Sequence, residues 1–174
     1  MSIISNKGSE NRLYRISAHK KLYNARTKVL LPIESHTSAD ARSGRIGDID
    51  ILYNDGRAFE AVEVKHGVNL TLQIVADAYA KFQTTPVKRY YILSTANQPG
   101  ADEWAKIQEE VQRIKNVHGC QLIVNGLMPS LKYYLRLLEN TFEFINNYTT
   151  LLETDTALKF EHKAHWNTII SEMR

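Results

Sequence analysis

The spacing of apolar residues changes several times along the chain, and each change marks an element. Between about Gly8 and Arg26, Leu13, Ile16, His19, Leu22 and Tyr23 recur at helical spacing, with Ser9 or Asn11 placed to cap them, which predicts a first helix. "KVLLPI" (Lys28 to Ile33) is short and apolar and predicts a buried strand, followed by a polar loop, "ESHTSADARSGR", that ends at Arg45. "IGDIDILY" (Ile46 to Tyr53) and "AFEAVEVKH" (Ala58 to His66) both alternate with period two. Asn54, Asp55 and Gly56 between them supply turn chemistry, so the two runs predict an antiparallel hairpin. A helix over Leu70 to Phe82, a strand over Val87 to Thr95, a helix over Ala101 to Val117 and a strand at "CQLIVNG" follow. From Pro129 onward the pattern is helical. "SLKYYLRLLENTFEFINNYTTLL" predicts one amphipathic helix, and "ALKFEHKAHWNTIISEM" a last one. Helix, three strands, helix, strand, helix, strand and then helices is the order of an α/β sandwich with a partly antiparallel sheet.

Composition adds bounds. At 174 residues, 43% hydrophobic and 24% charged, the chain predicts one soluble domain over 1–174, with a core at about 8–126 and a helical C-terminal extension at about 127–174. No apolar run approaches the roughly 18 residues that cross a bilayer, so no membrane segment is expected. One cysteine, Cys120, cannot close an internal disulfide, and "MSIISNKGSE" lacks the apolar core of a signal peptide, which together predict a cytoplasmic protein. The net charge of +3 is compatible with a polyanionic partner without requiring one.

The hairpin carries four charges in otherwise apolar strand sequence: Asp48, Asp50, Glu63 and Lys65. Period-two geometry puts Asp48 and Asp50 on one face of the first strand, and Glu63 and Lys65 on one face of the second. The opposite faces carry Ile49, Ile51, Tyr53, Val62 and Val64 and can enter a core, so the charged faces are expected to look into a cleft or water. Where those faces coincide, two or three carboxylates converge with one ammonium. Carboxylates that close raise one another's pKa unless a cation lies between them. Mg²⁺ suits such a place, because it is held by one or two carboxylates together with waters and substrate phosphates; Mn²⁺ is a reasonable substitute. Asp50 and Glu63 would supply the carboxylates and Val64 a backbone carbonyl. Lys65 would orient or deprotonate a water and stabilise charge developing on a phosphate, which is phosphodiester hydrolysis chemistry. The same residues could instead form a solvated face with a Glu–Lys ion pair.

"GDIDILYNDGRAFEAVEVK" resembles the "GEIDLI...VEVK" signature of resolvase-like members of the PD-(D/E)XK nuclease superfamily, and the order of elements from Gly8 to Thr95 resembles that superfamily's core. The resemblance implies a restriction-endonuclease-like α/β fold with a mixed sheet flanked by helices. It selects Asp50 over Asp48 as the motif aspartate, and it implies that Asp50 and Glu63 bind metal while Lys65 is catalytic. No proline precedes the aspartate, unlike the motif's name. Glu10 resembles the acidic residue that many members bring from the first helix, although a glutamate in a first turn also favours the helix dipole. Gln73 or Tyr79 resembles a residue that some members place beside the site, the alternative being ordinary helix surface or core. The remainder of the chain is similar to type II restriction endonucleases, SacI-like enzymes in particular. The implied function is a Mg²⁺-dependent DNA endonuclease acting in restriction as a homodimer. A structure-selective repair or recombination nuclease, or a non-catalytic nucleic-acid-binding module of the same fold, are the alternatives.

Other chemistry is thin. His162 and His165 lie at i, i+3 without a third ligand nearby in sequence, His66 should point away from Lys65, and Cys120 is best read as a small buried residue. Candidate DNA contacts are Arg42 and Arg45 in the loop, Lys20, Lys21, Arg26 and Lys28 around the first helix, and Lys88 with Arg89.

Overall fold

The computed structural model describes residues 28–31, 45–138, 140–156 and 158–172. The expected first helix, with Glu10, Lys20, Lys21 and Arg26, and most of the following loop, with Arg42, lie outside the described residues. The chain forms a five-stranded mixed sheet flanked by helices. Its strands are β1 (Lys28–Leu30), β2 (Ile49–Tyr53), β3 (Ala58–Lys65), β4 (Arg89–Ser94) and β5 (Gln121–Gly126), and they lie side by side in chain order. β1, β2 and β3 pair antiparallel, whereas β3, β4 and β5 pair parallel. Each parallel pair requires a crossover, supplied by α1 (Leu72–Phe82) and α2 (Ala101–His118).

The hairpin turn closes where the sequence places it. Tyr53 N–H donates to the Arg57 carbonyl at 2.8 Å and Gly56 N–H donates to the Tyr53 carbonyl at 2.9 Å. Gly56 takes a φ of 85°, which a side chain would strain. β2 is shorter than its alternating pattern predicts, starting at Ile49 instead of Ile46. At Gly47 the chain already lies against the neighbouring strand, since a Cβ there would come within 2.9 Å of the Val62 carbonyl oxygen.

Residues opposite each other across a ladder share a face, so the register sorts the side chains. Asp50 stands opposite Ala61, Ala61 opposite Tyr90, Glu63 opposite Ile92 and Lys65 opposite Ser94. On this face Ala61, Tyr90, Ile92, Leu122 and Val124 pack under Val75, Ala78 and Phe82 of α1 and Ile107 and Ile114 of α2. On the other face Ile49, Val62, Val64, Tyr91 and Leu93 pack under Leu127, Leu131 and Tyr134 of α3 (Leu127–Arg136). Ile49, Val62 and Val64 therefore enter a core, as their alternation predicts.

The C-terminal run predicted as one helix is two, α3 and α4 (Thr141–Thr154). The break has a local cause: Asn140 adopts an extended conformation and its side chain accepts from the Glu143 N–H at 3.0 Å, capping a new helix. A last helix, α5 (Phe160–Glu172), sets Trp166 edge-on to Tyr148 of α4 beside Phe144, Leu152 and Leu158. No helix among the described residues is long and apolar enough to cross a membrane.

Candidate active site

Two of the carboxylates on the charged face of the hairpin are buried, while Lys65 at its end reaches solvent. Asp50 is 4% exposed and Glu63 3%, because β3 is an interior strand and α1 covers the face that carries them. The expectation of a solvated face is corrected by that packing. Two buried carboxylates require compensation, and the two obtain it differently.

Glu63 is compensated by lysines. Lys65 Nζ donates to its Oε1 at 2.6 Å, and Lys81 Nζ, from α1, lies 3.1 Å from Oε1 and 3.0 Å from Oε2. Burial by itself would raise the Glu63 pKa, but these two ammonium groups outweigh it and hold the carboxyl below its ordinary value. The Tyr90 hydroxyl sits 3.2 Å from Oε2 and 2.7 Å from the Ile46 carbonyl, sharing one proton between two acceptors. Burial and the Glu63 charge push that phenol well up, so it remains a donor.

Asp50 is compensated only in part. Its Oδ2 accepts from the Ile46 N–H at 3.2 Å, while its buried Oδ1 has no hydrogen-bond partner among the described residues. Burial raises its pKa to about 6, against the opposing pull of the Ile46 amide, the Arg45 charge and the Gly47 amide. An acceptor oxygen buried without a donor is where a cation would be most welcome.

Asp48 is spent on the backbone. Its Oδ2 accepts from the Val64 N–H at 2.8 Å, at the point where β2 has not yet begun and β3 would otherwise lack a ladder acceptor. A strand residue directs its N–H and its carbonyl to the same side, so the Val64 carbonyl also points toward the β2 side.

The donor set is thus two carboxylates and one strand carbonyl. No group of three His, Cys, Asp or Glu side chains stands in metal-ligand arrangement among the described residues. Two carboxylates are nonetheless a sufficient protein share for Mg²⁺, which takes its other oxygens from water and phosphate. The orphaned Asp50 Oδ1 fits that requirement.

Other nominated residues fall elsewhere. Gln73 is exposed and its amide donates to Asp77 at 2.7 Å; at 100° per residue it lies nearly opposite the Val75, Ala78, Phe82 stripe that faces the sheet. Tyr79 flanks the stripe and packs edge-on against Phe82 and His118. Lys81 flanks it on the other side, and it is the α1 residue that reaches Glu63. Sequence reasoning missed it: a lysine beside a buried stripe is visible in the sequence, but its meeting with a strand glutamate depends on how the helix crosses the sheet. Arg45 stays close enough for its charge to favour ionised Asp50. Lys88 precedes β4 at the far end of the sheet, its N–H bonded to the Phe59 carbonyl, roughly 20 Å along β3 from Lys65. Lys28 belongs to that far end too, its ammonium 4.3 Å from the Phe59 ring centre. Cys120 is buried just before β5 and burial pushes its thiol up to about 12, which disfavours the thiolate.

No protein-family model and no curated protein matches this chain. What the geometry brings together is Asp50, Glu63, Val64 and Lys65 at one end of the β2–β3 pair, with Asp48 bracing them and Lys81 and Tyr90 closing over Glu63.

Proposed function

We propose that the chain is a Mg²⁺-dependent DNA endonuclease of the PD-(D/E)XK type. One observation carries the reading: Asp50, Glu63 and Lys65 share a sheet face beneath α1, and Asp50 keeps a buried oxygen with no hydrogen-bond donor among the described residues. The order of elements from β1 to β4 supports it, since three antiparallel strands, a helix and a parallel fourth strand agree with the core that the sequence resemblance implies.

Asp50 Oδ1, a Glu63 oxygen and the Val64 carbonyl would hold the ion. When bound, Mg²⁺ supplies Lewis acidity toward a phosphate and lowers the pKa of a water. The protein's own part is to hold the geometry and handle protons. Asp48 fixes the Val64 peptide, and Tyr90 ties the Ile46 segment to Glu63. Lys65, its side chain 30% exposed, combines contact with Glu63 and access from solvent, so it can meet both an attacking water and a phosphate oxygen. Restriction of foreign DNA by a homodimer follows from the resemblance, cytoplasmic location is the expectation drawn from the single cysteine and the N-terminal sequence, and both belong to the same proposal.

A non-catalytic nucleic-acid-binding module is the second reading, favoured by one feature: both Glu63 oxygens already have lysine partners. Cleavage assays separate the two. Supercoiled plasmid, branched DNA and single-stranded DNA are incubated with and without Mg²⁺, using wild type and Lys65→Ala. Mg²⁺-dependent cutting that Lys65→Ala loses is the expected result, discrete plasmid fragments marking restriction and cutting of branched DNA alone marking a resolvase. Equal nicking by both proteins, or none on any substrate, would sink the nuclease reading.

A further inference from the structure

Lys81 holds Glu63 where a cation belongs. Its ammonium straddles the carboxylate, 3.0 Å from Oε2 and 3.1 Å from Oε1, while Lys65 approaches Oε1 alone. The two carboxylates of the site are therefore in different states, Asp50 with Oδ1 unpartnered among the described residues and Glu63 filled on both oxygens. A divalent ion binding a Glu63 oxygen at about 2.0–2.1 Å would lie close against an ammonium held at both oxygens, and two like charges that near repel strongly in a site this buried.

We propose that Lys81 is a resident counter-ion, displaced from Glu63 when a divalent cation binds, and that it thereby sets the affinity of the site for the ion. The proposal rests on the metal-dependent reading above. Two features make displacement feasible. Lys81 stands on the flank of α1 with its side chain 30% exposed, so its long stem can swing toward water while Val75, Ala78 and Phe82 stay packed. Lys65 and Tyr90 remain to hold Glu63 in place. In the absence of an ion the same ammonium compensates the buried glutamate.

The test is calorimetric titration of the full chain with Mn²⁺, without nucleic acid and at neutral pH, for wild type, Lys81→Met, Lys81→Arg and Asp50→Asn. Lys81→Met is expected to bind about tenfold more tightly than wild type, the direction in which removing a nearby like charge must act. Lys81→Arg keeps the charge and should resemble wild type, and Asp50→Asn should lose the ion. A purely structural Lys81 would leave affinity unchanged or lower it on substitution. Equal or weaker binding by Lys81→Met, with Asp50→Asn still losing the ion, overturns the counter-ion proposal and leaves the metal site standing. Absence of binding in every variant, or unchanged binding by Asp50→Asn, overturns the metal site as well. Thermal melts establish that each variant is folded, and Lys81→Gln takes the place of Lys81→Met where methionine does not fold.

Discussion

The Asp48 carboxylate accepts a hydrogen bond from the Val64 N–H at 2.8 Å, across two strands and sixteen residues of chain. That bond separates two aspartates that alternation makes equivalent. Asp48 completes the backbone of β3, whereas Asp50, two residues later, keeps a buried oxygen without a donor among the described residues. The two aspartates, two residues apart, thus stand in different hydrogen-bonding states.

Asp48→Ala should leave the Val64 N–H without its acceptor and cost about 1–3 kcal/mol, while Asp48→Asn retains an acceptor oxygen and should cost less. Urea denaturation measures both. Asp48→Asn should still bind Mn²⁺, in contrast to Asp50→Asn; loss of the ion by both would make Asp48 a ligand.

The raised pKa of Asp50 sets a pH dependence with a definite sign. Between about pH 4 and 6 the unfolded chain has released this proton and the folded chain retains it, so this residue's contribution to stability falls as pH rises through that window and is constant above it. The gap between 3.8 and about 6 corresponds to about 3 kcal/mol. Asp50→Asn cannot ionise. In EDTA it should exceed wild type in stability by up to about 3 kcal/mol near pH 8 and match it near pH 4. A difference independent of pH would exclude buried charge as the cause.

Lys65 and Lys81 should prove non-additive. Each single methionine variant leaves Glu63 one ammonium and should cost about 1 kcal/mol near pH 7, whereas the double variant leaves the buried carboxylate neither ammonium and should cost about 3–5 kcal/mol. In wild type the lowered Glu63 pKa contributes stability above its ordinary 4.5, and that contribution is lost as pH falls through the folded value. In the double variant Glu63 protonates readily, so most of the deficit should vanish near pH 4. Denaturation curves at both pH values check the cycle, and strictly additive losses would contradict it.

Gly47→Ala places a methyl group 2.9 Å from the Val62 carbonyl oxygen and 3.1 Å from its nitrogen, both backbone atoms that cannot turn aside. A loss of about 1–3 kcal/mol is expected, because the strand must shift to admit it. The same shift displaces Asp48 and Asp50, so Mn²⁺ binding should weaken as well. A melting temperature equal to wild type would show that the segment yields freely.

Alternation of apolar and charged residues was enough to place Ile49, Val62 and Val64 in a core and to align Asp50, Glu63 and Lys65 on the other face, because strand side chains repeat every two residues whatever surrounds them. The hairpin turn and the order of strands and helices from β1 to β5 were legible for the same reason: they depend on neighbours in sequence. The division of the C-terminal helices was local too, but its signal, the Asn140 cap, lay hidden inside an unbroken apolar stripe. Burial of the charged face was not legible, since it depends on α1 folding back over an interior strand. Nor was the meeting of Lys81 with Glu63, eighteen residues apart, or of Asp48 with the Val64 amide. Those contacts are set by how a helix crosses a sheet and where a strand stops pairing, distances that no repeat in the chain encodes.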